Sequence, residues 1–332
     1  MKLFTSFNFK KHKPILAFGI FAILGILLLI LLGPHSRPLQ PVSIRLKWIN
    51  QAQFAGYYVA EDRGYFKDLG LSMTLDPAGP NISPIQTVVS GANTFGIIGA
   101  DQLLIARSEG IPVVAVAVIY RQTPESFVSL ASKNIKSPQD LIGKRVAVIY
   151  GNDWGIYQSF LKNNNLKESD FHEVAAIPGI SQILSNKVDA IEAYEMSDAA
   201  MLKLAGYKIN LMRFSDYGVN FYADTLFTTE STVKNNPELV KKVVQASING
   251  WKGVISNPSE AINDTIRANP ALNRAQQAIY LQMSIPYITK GNHIGYSDTS
   301  TWEDMQNALY EEGLIKTKIN VQNVFTNRFL PQ

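Results

Sequence analysis

Apolar residues follow two alternating spacings through most of this chain. Residues 94–98 and 111–120 are almost uninterrupted apolar runs, which are expected of parallel strands covered on both faces. Neighbouring segments repeat apolar residues every three or four positions, which is typical of amphipathic helices. This alternation of strand and helix predicts an α/β architecture, with helices layered on sheets.

The clearest unit of this kind runs from residue 43 to residue 71. An apolar strand at residues 43–48 enters a polar turn, and apolar positions then recur at helical spacing as far as Phe66. Gly64 and Gly70 predict the breaks that end the helix and begin the next strand. The stretch therefore predicts a strand, a loop and a helix.

Aromatic and amide side chains are concentrated where this strand meets its helix. The group comprises Trp48, Gln51, Gln53, Phe54, Tyr57 and Tyr58. Flat apolar faces beside amide donors and acceptors suit a planar ligand with ring heteroatoms. The same aromatic residues would equally serve as packing residues of a hydrophobic core, and the residue types alone leave both interpretations open.

The strand-and-helix pattern is interrupted near residues 121–127 and again near residues 215–225. We interpret these segments as two crossings between lobes, with residues 42–124 and 225–332 in lobe 1 and residues 125–224 in lobe 2. Each lobe is expected to contain a central, mostly parallel sheet flanked by helices. Two crossings of this kind would form a hinge, so that the lobes could close over a ligand.

Ligands of open α/β sheets bind outside the carboxyl ends of the strands. Asn152 and Trp154 follow the strand predicted at residues 145–150, and Tyr194 and Glu195 end the strand predicted at residues 188–194. Backbone amides at the start of the following helix could hold a polar ligand group. The carboxylate of Glu195 could accept N–H groups from a ring edge, or it could simply cap the next helix.

The first 41 residues have a different composition. A basic tail at residues 1–13 precedes residues 14–33, which carry no charge. A helix of that length is roughly 30 Å long and can cross a bilayer core. We therefore expect a cytoplasmic tail, an uncleaved transmembrane anchor at residues 14–33 in the inner membrane, a linker at residues 34–41, and the remainder on the periplasmic side. A cleaved signal peptide is the alternative, and the absence of cysteine excludes a lipoprotein.

Charge and residue types exclude several classes of function. The chain has a net charge of +4, but the first 41 residues hold five basic and no acidic residues, so the remainder carries −1. Such a nearly neutral domain indicates no nucleic-acid partner. There is no cysteine, and the two histidines after residue 41, His172 and His293, lie apart in the sequence. The sequence therefore indicates no metal site and no nucleophile with its base.

Trp48, residues 53–60 and residues 64–66 together resemble the opening of solute-binding proteins for thiamine-pyrimidine precursors and riboflavin. The resemblance extends from residue 43 to about residue 292. It implies a type 2 periplasmic-binding-protein fold with two hinged lobes. It also implies a small planar heteroaromatic ligand, handed to an ABC permease in the membrane by a protein that we expect to be a monomer.

The same superfamily contains the thiamine pyrimidine synthase, which is the enzyme alternative. The resemblance places the lysine of that enzyme at Ile98, its histidine at Gln102 and its cysteine-rich run at residues 218–222. Isoleucine cannot form a Schiff base, so we expect no enzymatic activity, no cofactor and no metal. A third hypothesis is a ligand-sensing module that acts through a partner.

Candidate ligand-binding residues come from both predicted lobes and from the two crossings. They are Trp48, Gln53, Phe54, Tyr57, Asn81, Asp101, Gln102, Tyr120, Gln122, Asn152, Trp154, Tyr194, Glu195, Asn220, Tyr222 and Asp224. Two of them have a structural alternative, because Asn81 suits a turn and Asp101 suits the N-cap of a helix. Stacking and directional hydrogen bonds would favour the closed form once the ligand is bound.

Overall fold

In a computed structural model of this chain, the described residues are 38–79, 81–151, 154–291 and 293–331. The expected basic tail and transmembrane anchor lie outside them, as does the first half of the expected linker. Within these ranges, no helix combines the length and hydropathy that a membrane span requires. Gln40–Gln332 forms one unit, built around two five-stranded sheets.

The first sheet is built mainly from the beginning of this unit. Its strands are β1 (Gln40–Arg45), β2 (Leu71–Asp76), β3 (Phe95–Ile98), β4 (Val113–Val118) and β10 (Thr225–Thr229), in the order β2-β1-β3-β10-β4. Every residue of β3 and β4 is buried, as their uninterrupted apolar sequences predict.

The second sheet comes from the middle of the chain. Its strands are β5 (Glu125–Leu130), β6 (Arg145–Val148), β7 (His172–Ala175), β8 (Ala190–Tyr194) and β9 (Ile209–Arg213), in the order β7-β6-β8-β5-β9. The chain passes from the first sheet to the second between β4 and β5, and it returns between β9 and β10. Backbone hydrogen bonds join these two connections, because Ala223 donates to the carbonyl of Tyr120 at 2.9 Å.

Both sheets are mixed, but in each of them four strands run in one direction and one runs the opposite way, so they are mostly parallel as expected. In the first sheet, β10 lies antiparallel between β3 and β4, and in the second sheet β5 lies antiparallel between β8 and β9. The direction of β5 and β10 follows from the path of the chain between the sheets. β5 and β10 arrive from the other sheet, so they begin at the edge where their parallel neighbours end, and they run the opposite way. The run at residues 111–120 contains β4, which has the same direction as β3 and pairs antiparallel with β10.

Twelve helices cover the sheets in the described part of the chain. They are α1 (Ala55–Asp62), α2 (Tyr65–Asp68), α3 (Pro84–Val89), α4 (Ala100–Ser108), α5 (Trp154–Asn163), α6 (Ser181–Leu184), α7 (Ala200–Leu204), α8 (Glu230–Asn235), α9 (Pro237–Ser256), α10 (Pro258–Ala268), α11 (Arg274–Thr289) and α12 (Thr299–Glu311). Proline is the first residue of α3, α9 and α10, where its missing N–H costs no helical hydrogen bond.

The helix that carries the aromatic sequence, α1, packs closely against α9. A Cβ atom built on Gly56 of α1 would lie 2.2 Å from Cδ2 of Trp251, and one built on Gly250 of α9 would lie 1.9 Å from the carbonyl oxygen of Gly56. Glycine at both positions therefore lets the two backbones approach. The contact fixes α1, and with it the turn that precedes the helix.

One buried apolar cluster extends from the first sheet to the second. It contains Ile98 and Phe227 from the first sheet, Phe127 and Val146 from the second, and Trp302 from α12. The two sheets thus share part of their core in this conformation.

Candidate functional site

The carboxyl ends of parallel strands from the two sheets approach each other at two buried places. Lys47 follows β1, and its Nζ donates a hydrogen bond of 2.6 Å to the hydroxyl of Tyr194 at the end of β8. Asp101, in the first turn after β3, faces the first turn after β6, because a Cβ on Gly155 would lie 3.4 Å from Oδ2 of Asp101. We call the region defined by Lys47, Gln53, Tyr194 and Asp224 the inter-sheet site.

The four side chains of the inter-sheet site form a buried polar network. Nζ of Lys47 lies 3.8 Å from Oδ1 of Asp224, and Nε2 of Gln53 donates to Oδ2 of the same carboxylate at 2.7 Å. The hydroxyl of Tyr194 lies 3.4 Å from Oδ1 of Asp224. All four residues are at most 9% exposed. The network therefore joins the end of β1, the turn before α1, the end of β8 and the start of β10.

Three buried tyrosines surround this network. Burial, and in second place the charge of Asp224, raises the pKa of Tyr57 and of Tyr120. Burial also raises the pKa of Tyr280, whose hydroxyl lies 3.4 Å from Oε1 of Gln53. These phenols stay protonated at neutral pH, so the site offers hydroxyl donors beside a carboxylate and an amide.

The structure brings some of the candidate residues together. Gln53 and Tyr194 both contact Asp224, and Tyr57 and Tyr120 are close enough for Asp224 to affect their pKa values. Whether they bind a ligand stays a prediction.

Several candidate aromatic residues are packing residues in this conformation. Phe54 is fully buried in the core beside the first sheet, and the ring of Tyr57 packs edge-on against Trp251 with centroids 5.8 Å apart. Trp48 is half-buried against the same core. Trp154 belongs to a different apolar cluster and packs on Tyr157, 5.1 Å away. Among the described residues no ring contact joins Trp48 to Trp154, the two residues expected to cover opposite faces of a ligand.

The remaining candidates have other surroundings. Asn81 and Asn220 are exposed, and Asn152 lies outside the described residues. Gln102 donates to Asp101 at 3.2 Å, and Gln122 accepts a hydrogen bond from Lys290. Tyr222 donates to Asp298 and packs against Trp302 at the start of α12. None of these contacts involves the Lys47–Asp224 network.

Glu195 is buried, and its Oε2 accepts a hydrogen bond of 2.5 Å from Nε of Arg213 on β9. This ion pair competes with the role in which Glu195 accepts N–H groups from a ligand ring. The role stays a prediction, and Asp224 is a second carboxylate that could fulfil it.

Sequence reasoning missed Lys47 and Tyr280 as site residues. The sequence does contain a signal for Lys47. A lysine that directly follows a buried apolar strand is itself expected to be buried, and a buried charge needs a partner. Tyr280 had none, since it lies 227 positions from Gln53 and reaches the site only through the packing of α11.

A further titratable contact lies between α5 and the end of α12. Ser159 on α5 donates a hydrogen bond of 2.5 Å to Oε1 of Glu312. Burial raises the pKa of Glu312 from 4.5 to about 7, with smaller upward contributions from Glu311 and Asp101 and downward ones from Ser159 and Lys162. The carboxyl group is thus partly protonated near neutral pH.

We expect the folded state to lose about 1–2 kcal/mol of stability as the pH rises from about 5 to about 8, after allowance for solvent screening at Glu312. An acid whose folded pKa is raised carries no penalty below its unfolded pKa and the full penalty above its folded pKa. Urea unfolding across this range measures the loss, and Glu312→Gln should remove the part of it that Glu312 contributes. Glu303→Gln, at an exposed position of α12, is the matched control. A loss in Glu312→Gln that equals the wild-type loss would contradict the assignment, and a smaller remaining loss is expected because burial raises the pKa of Asp198 to about 6.

Among the described residues, no group of three or more histidine or carboxylate side chains is arranged to hold a metal ion.

Comparison with known proteins assigns the class. The NMT1/THI5-like family matches residues 51–261, so this chain belongs to that family. A protein named riboflavin-binding protein RibY, from Chloroflexus aurantiacus, is 26% identical over 312 residues, which cover 90% of this chain and 89% of that protein. A protein named formylaminopyrimidine-binding protein, from Halalkalibacterium halodurans, is 27% identical over 301 residues, 87% of this chain and 90% of that protein. Proteins named 4-amino-5-hydroxymethyl-2-methylpyrimidine phosphate synthase also match.

Solved structures identify the fold. The periplasmic aliphatic sulphonate binding protein SsuA from Escherichia coli superposes with a TM-score of 0.69 at 17% identity, covering 88% of this chain and 92% of that structure. The chain thus has the α/β periplasmic-binding-protein fold, with two mixed sheets. This confirms the α/β periplasmic-binding-protein fold, while the predicted transmembrane helix lies outside the described residues.

Proposed function

We propose that this protein is the extracytoplasmic substrate-binding component of an ABC-type importer. It binds a small planar heteroaromatic compound, such as a thiamine pyrimidine precursor or riboflavin, and presents it to a permease. The names of the relatives that bind riboflavin and formylaminopyrimidine support this ligand class. The expected membrane anchor belongs to the same proposal, and the intact 36.8 kDa chain should remain in carbonate-washed membranes.

The observation that carries the proposal is the polar network between the two sheets. Lys47, Gln53 and Asp224 come from the first sheet and its connections, and Tyr194 comes from the second. The oxygens of Asp224 and Gln53 can accept N–H groups of an aminopyrimidine or of a flavin imide edge, and the tyrosines can donate to ring acceptors. A ligand held there would contact both halves of the molecule.

The mechanism in this proposal is closure about the two connections between the sheets. Lobe 1 comprises residues 42–124 and 225–332, and lobe 2 comprises residues 125–224. In the open form Tyr194 moves away from Lys47 and Asp224, so that a ligand can enter. Hydrogen bonds from the bound ligand to both lobes then favour the closed form. The ligand can shift the equilibrium between the open and closed forms only by as much as its affinity differs between them.

Calorimetric titration of the purified chain with riboflavin and with 4-amino-5-hydroxymethyl-2-methylpyrimidine tests the proposal. We expect 1:1 binding of one of them with a Kd of about 1 µM or lower. Mass spectrometry should recover the same compound unchanged after denaturation. Failure of both ligands to bind would contradict the proposed ligand class.

The enzyme alternative requires chemistry that these positions do not supply. Ile98 is buried in β3, Gln102 carries an amide, and residues 218–222 contain no thiol. A synthase of the kind implied by the resemblance would bind pyridoxal phosphate and iron. When pyridoxal phosphate and iron are added to the purified chain, we expect no absorbance band from protein-bound cofactor. The appearance of such a band would favour the enzyme alternative.

A further inference from the structure

The hydroxyl of Tyr194 is hydrogen-bonded in two directions inside the inter-sheet site. It accepts a hydrogen bond of 2.6 Å from Nζ of Lys47, and it donates one of 3.4 Å to Oδ1 of Asp224. Lys47 and Asp224 belong to the first sheet and its connections, whereas Tyr194 ends β8 of the second sheet. One phenol group thus presents an acceptor and a donor to the two charged groups opposite it.

Lys47 and Asp224 form a donor beside an acceptor, held in place by their neighbours. Nζ of Lys47 lies 3.8 Å from Oδ1 of Asp224, and the two residues are buried to 4% and 2% exposure. The other carboxylate oxygen, Oδ2, accepts a hydrogen bond of 2.7 Å from Gln53, whose Oε1 accepts one of 2.6 Å from Gln51. Because Gln53 engages Oδ2, Oδ1 is the oxygen that faces Lys47 and Tyr194.

The hydrogen bonds of Tyr194 cross between the proposed lobes, so they break when the lobes open for a ligand. When the lobes close again around that ligand, Lys47 and Asp224 are buried once more and need groups that replace the phenol, since buried charges are costly without hydrogen-bond partners. A ring with an acceptor next to an N–H group offers both replacements at once. An aminopyrimidine has a ring nitrogen beside its amino group, and a flavin has a carbonyl beside its imide N–H.

We propose that Lys47 binds the ligand and determines its specificity, because with Asp224 it selects heterocycles in which a hydrogen-bond acceptor lies next to an N–H group. The inference rests on the proposed function and adds to it the edge of the ring that is recognised. Lys47 donates to the ring acceptor, and Oδ1 of Asp224 accepts the neighbouring N–H. A ring of the same shape without that acceptor would place a C–H group against the ammonium of Lys47, and the site should reject it.

Ligand pairs that differ in ring acceptors test this inference on the unmodified protein. 4-Amino-5-hydroxymethyl-2-methylpyrimidine is paired with 2-amino-4-methylbenzyl alcohol, which keeps the amino and hydroxymethyl groups but has C–H in place of both ring nitrogens. Riboflavin is paired with 2-thioriboflavin and 4-thioriboflavin, because sulfur is a weak acceptor. By calorimetry, the pyrimidine should bind at least about 30-fold more tightly than its carbocyclic analogue, which corresponds to about 2 kcal/mol, or riboflavin at least about tenfold more tightly than one of its thio analogues.

The outcomes separate this inference from the proposed function. Equal affinities of the bound parent compound and its analogues would overturn the inference alone, and failure of both parent compounds to bind would overturn both. In a crystal structure of the wild-type complex, Nζ of Lys47 should lie within about 3.2 Å of a ring acceptor. An Nζ atom that keeps its hydrogen bond to Tyr194 in the complex would overturn the inference without the need for a variant.

The variant Lys47→Met assigns the discrimination to the ammonium group. Methionine has an apolar side chain of similar length that cannot donate, so the parent compound should bind more weakly while its analogue changes little, and their affinity ratio should shrink by at least about tenfold. A general distortion of the site would lower both affinities and leave the ratio unchanged. Lys252→Met, at an exposed position of α9, is the matched control. An unchanged ratio in a folded Lys47→Met protein would contradict the role of Lys47.

Discussion

Replacing Asp224 with alanine is expected to weaken ligand binding by at least about 100-fold and to destabilise the folded protein by about 3–5 kcal/mol. The carboxylate of Asp224 accepts a hydrogen bond of 2.7 Å from Gln53 and lies 3.8 Å from the ammonium group of Lys47. Its removal takes away the negative charge that faces a buried lysine, and it removes the acceptor that we assign to ligand N–H groups. Calorimetry measures the first effect, and urea unfolding measures the second.

Two further variants separate these effects. Asp224→Asn keeps an acceptor but loses the charge, so it should retain more binding than Asp224→Ala. The double variant Lys47→Met with Asp224→Leu replaces the ion pair with apolar side chains and should recover most of the stability without recovering binding. Asp304→Ala, at an exposed position, is the control for loss of an aspartate. Full ligand affinity in Asp224→Ala would remove Asp224 from the site.

Replacing Gly250 with alanine is expected to destabilise the protein by about 3 kcal/mol or more, at the upper end of overpacking effects. The added Cβ would meet the carbonyl oxygen of Gly56 at 1.9 Å, and a backbone atom cannot rotate away as a side chain can. The helices α1 and α9 would have to separate. The loss should exceed the gain of about 1 kcal/mol that alanine brings to a helix interior.

Gln245→Ala, at an exposed position of α9, is the matched control and should change the unfolding free energy by less than about 0.5 kcal/mol. Because α1 follows directly on the turn that holds Gln53, a folded Gly250→Ala protein should also bind ligand more weakly. Unchanged urea unfolding in Gly250→Ala would show that the two helices tolerate a wider spacing.

Local sequence signals were sufficient for most helices and strands. Proline marks the first residue of α9 and α10, and the apolar run at residues 94–98 becomes the buried strand β3, Phe95–Ile98. These signals act within a few residues, where backbone sterics and side-chain periodicity decide the structure. The strand expected at residues 43–48 ends earlier, at Arg45, because the following residues leave the sheet towards the inter-sheet site.

Strand direction and side-chain partners depend on distant parts of the chain. An apolar run such as Val113–Val118 looks the same whether its neighbour is parallel or antiparallel, and its partner β10 begins more than 100 positions later. The partners of Lys47 are likewise remote, since Tyr194 lies 147 positions away. The pattern placed Tyr194 at a strand end, but it could not show that a lysine from the other sheet reaches it.

A crystal structure of the protein grown with saturating riboflavin or aminopyrimidine tests the central claim most directly. We predict that the heterocycle, chemically unchanged, lies between Asp224 with Gln53 on one side and Tyr194 on the other, with Tyr194 displaced from Lys47. A ligand bound elsewhere on the molecule, or a product of chemical conversion at this position, would contradict the account.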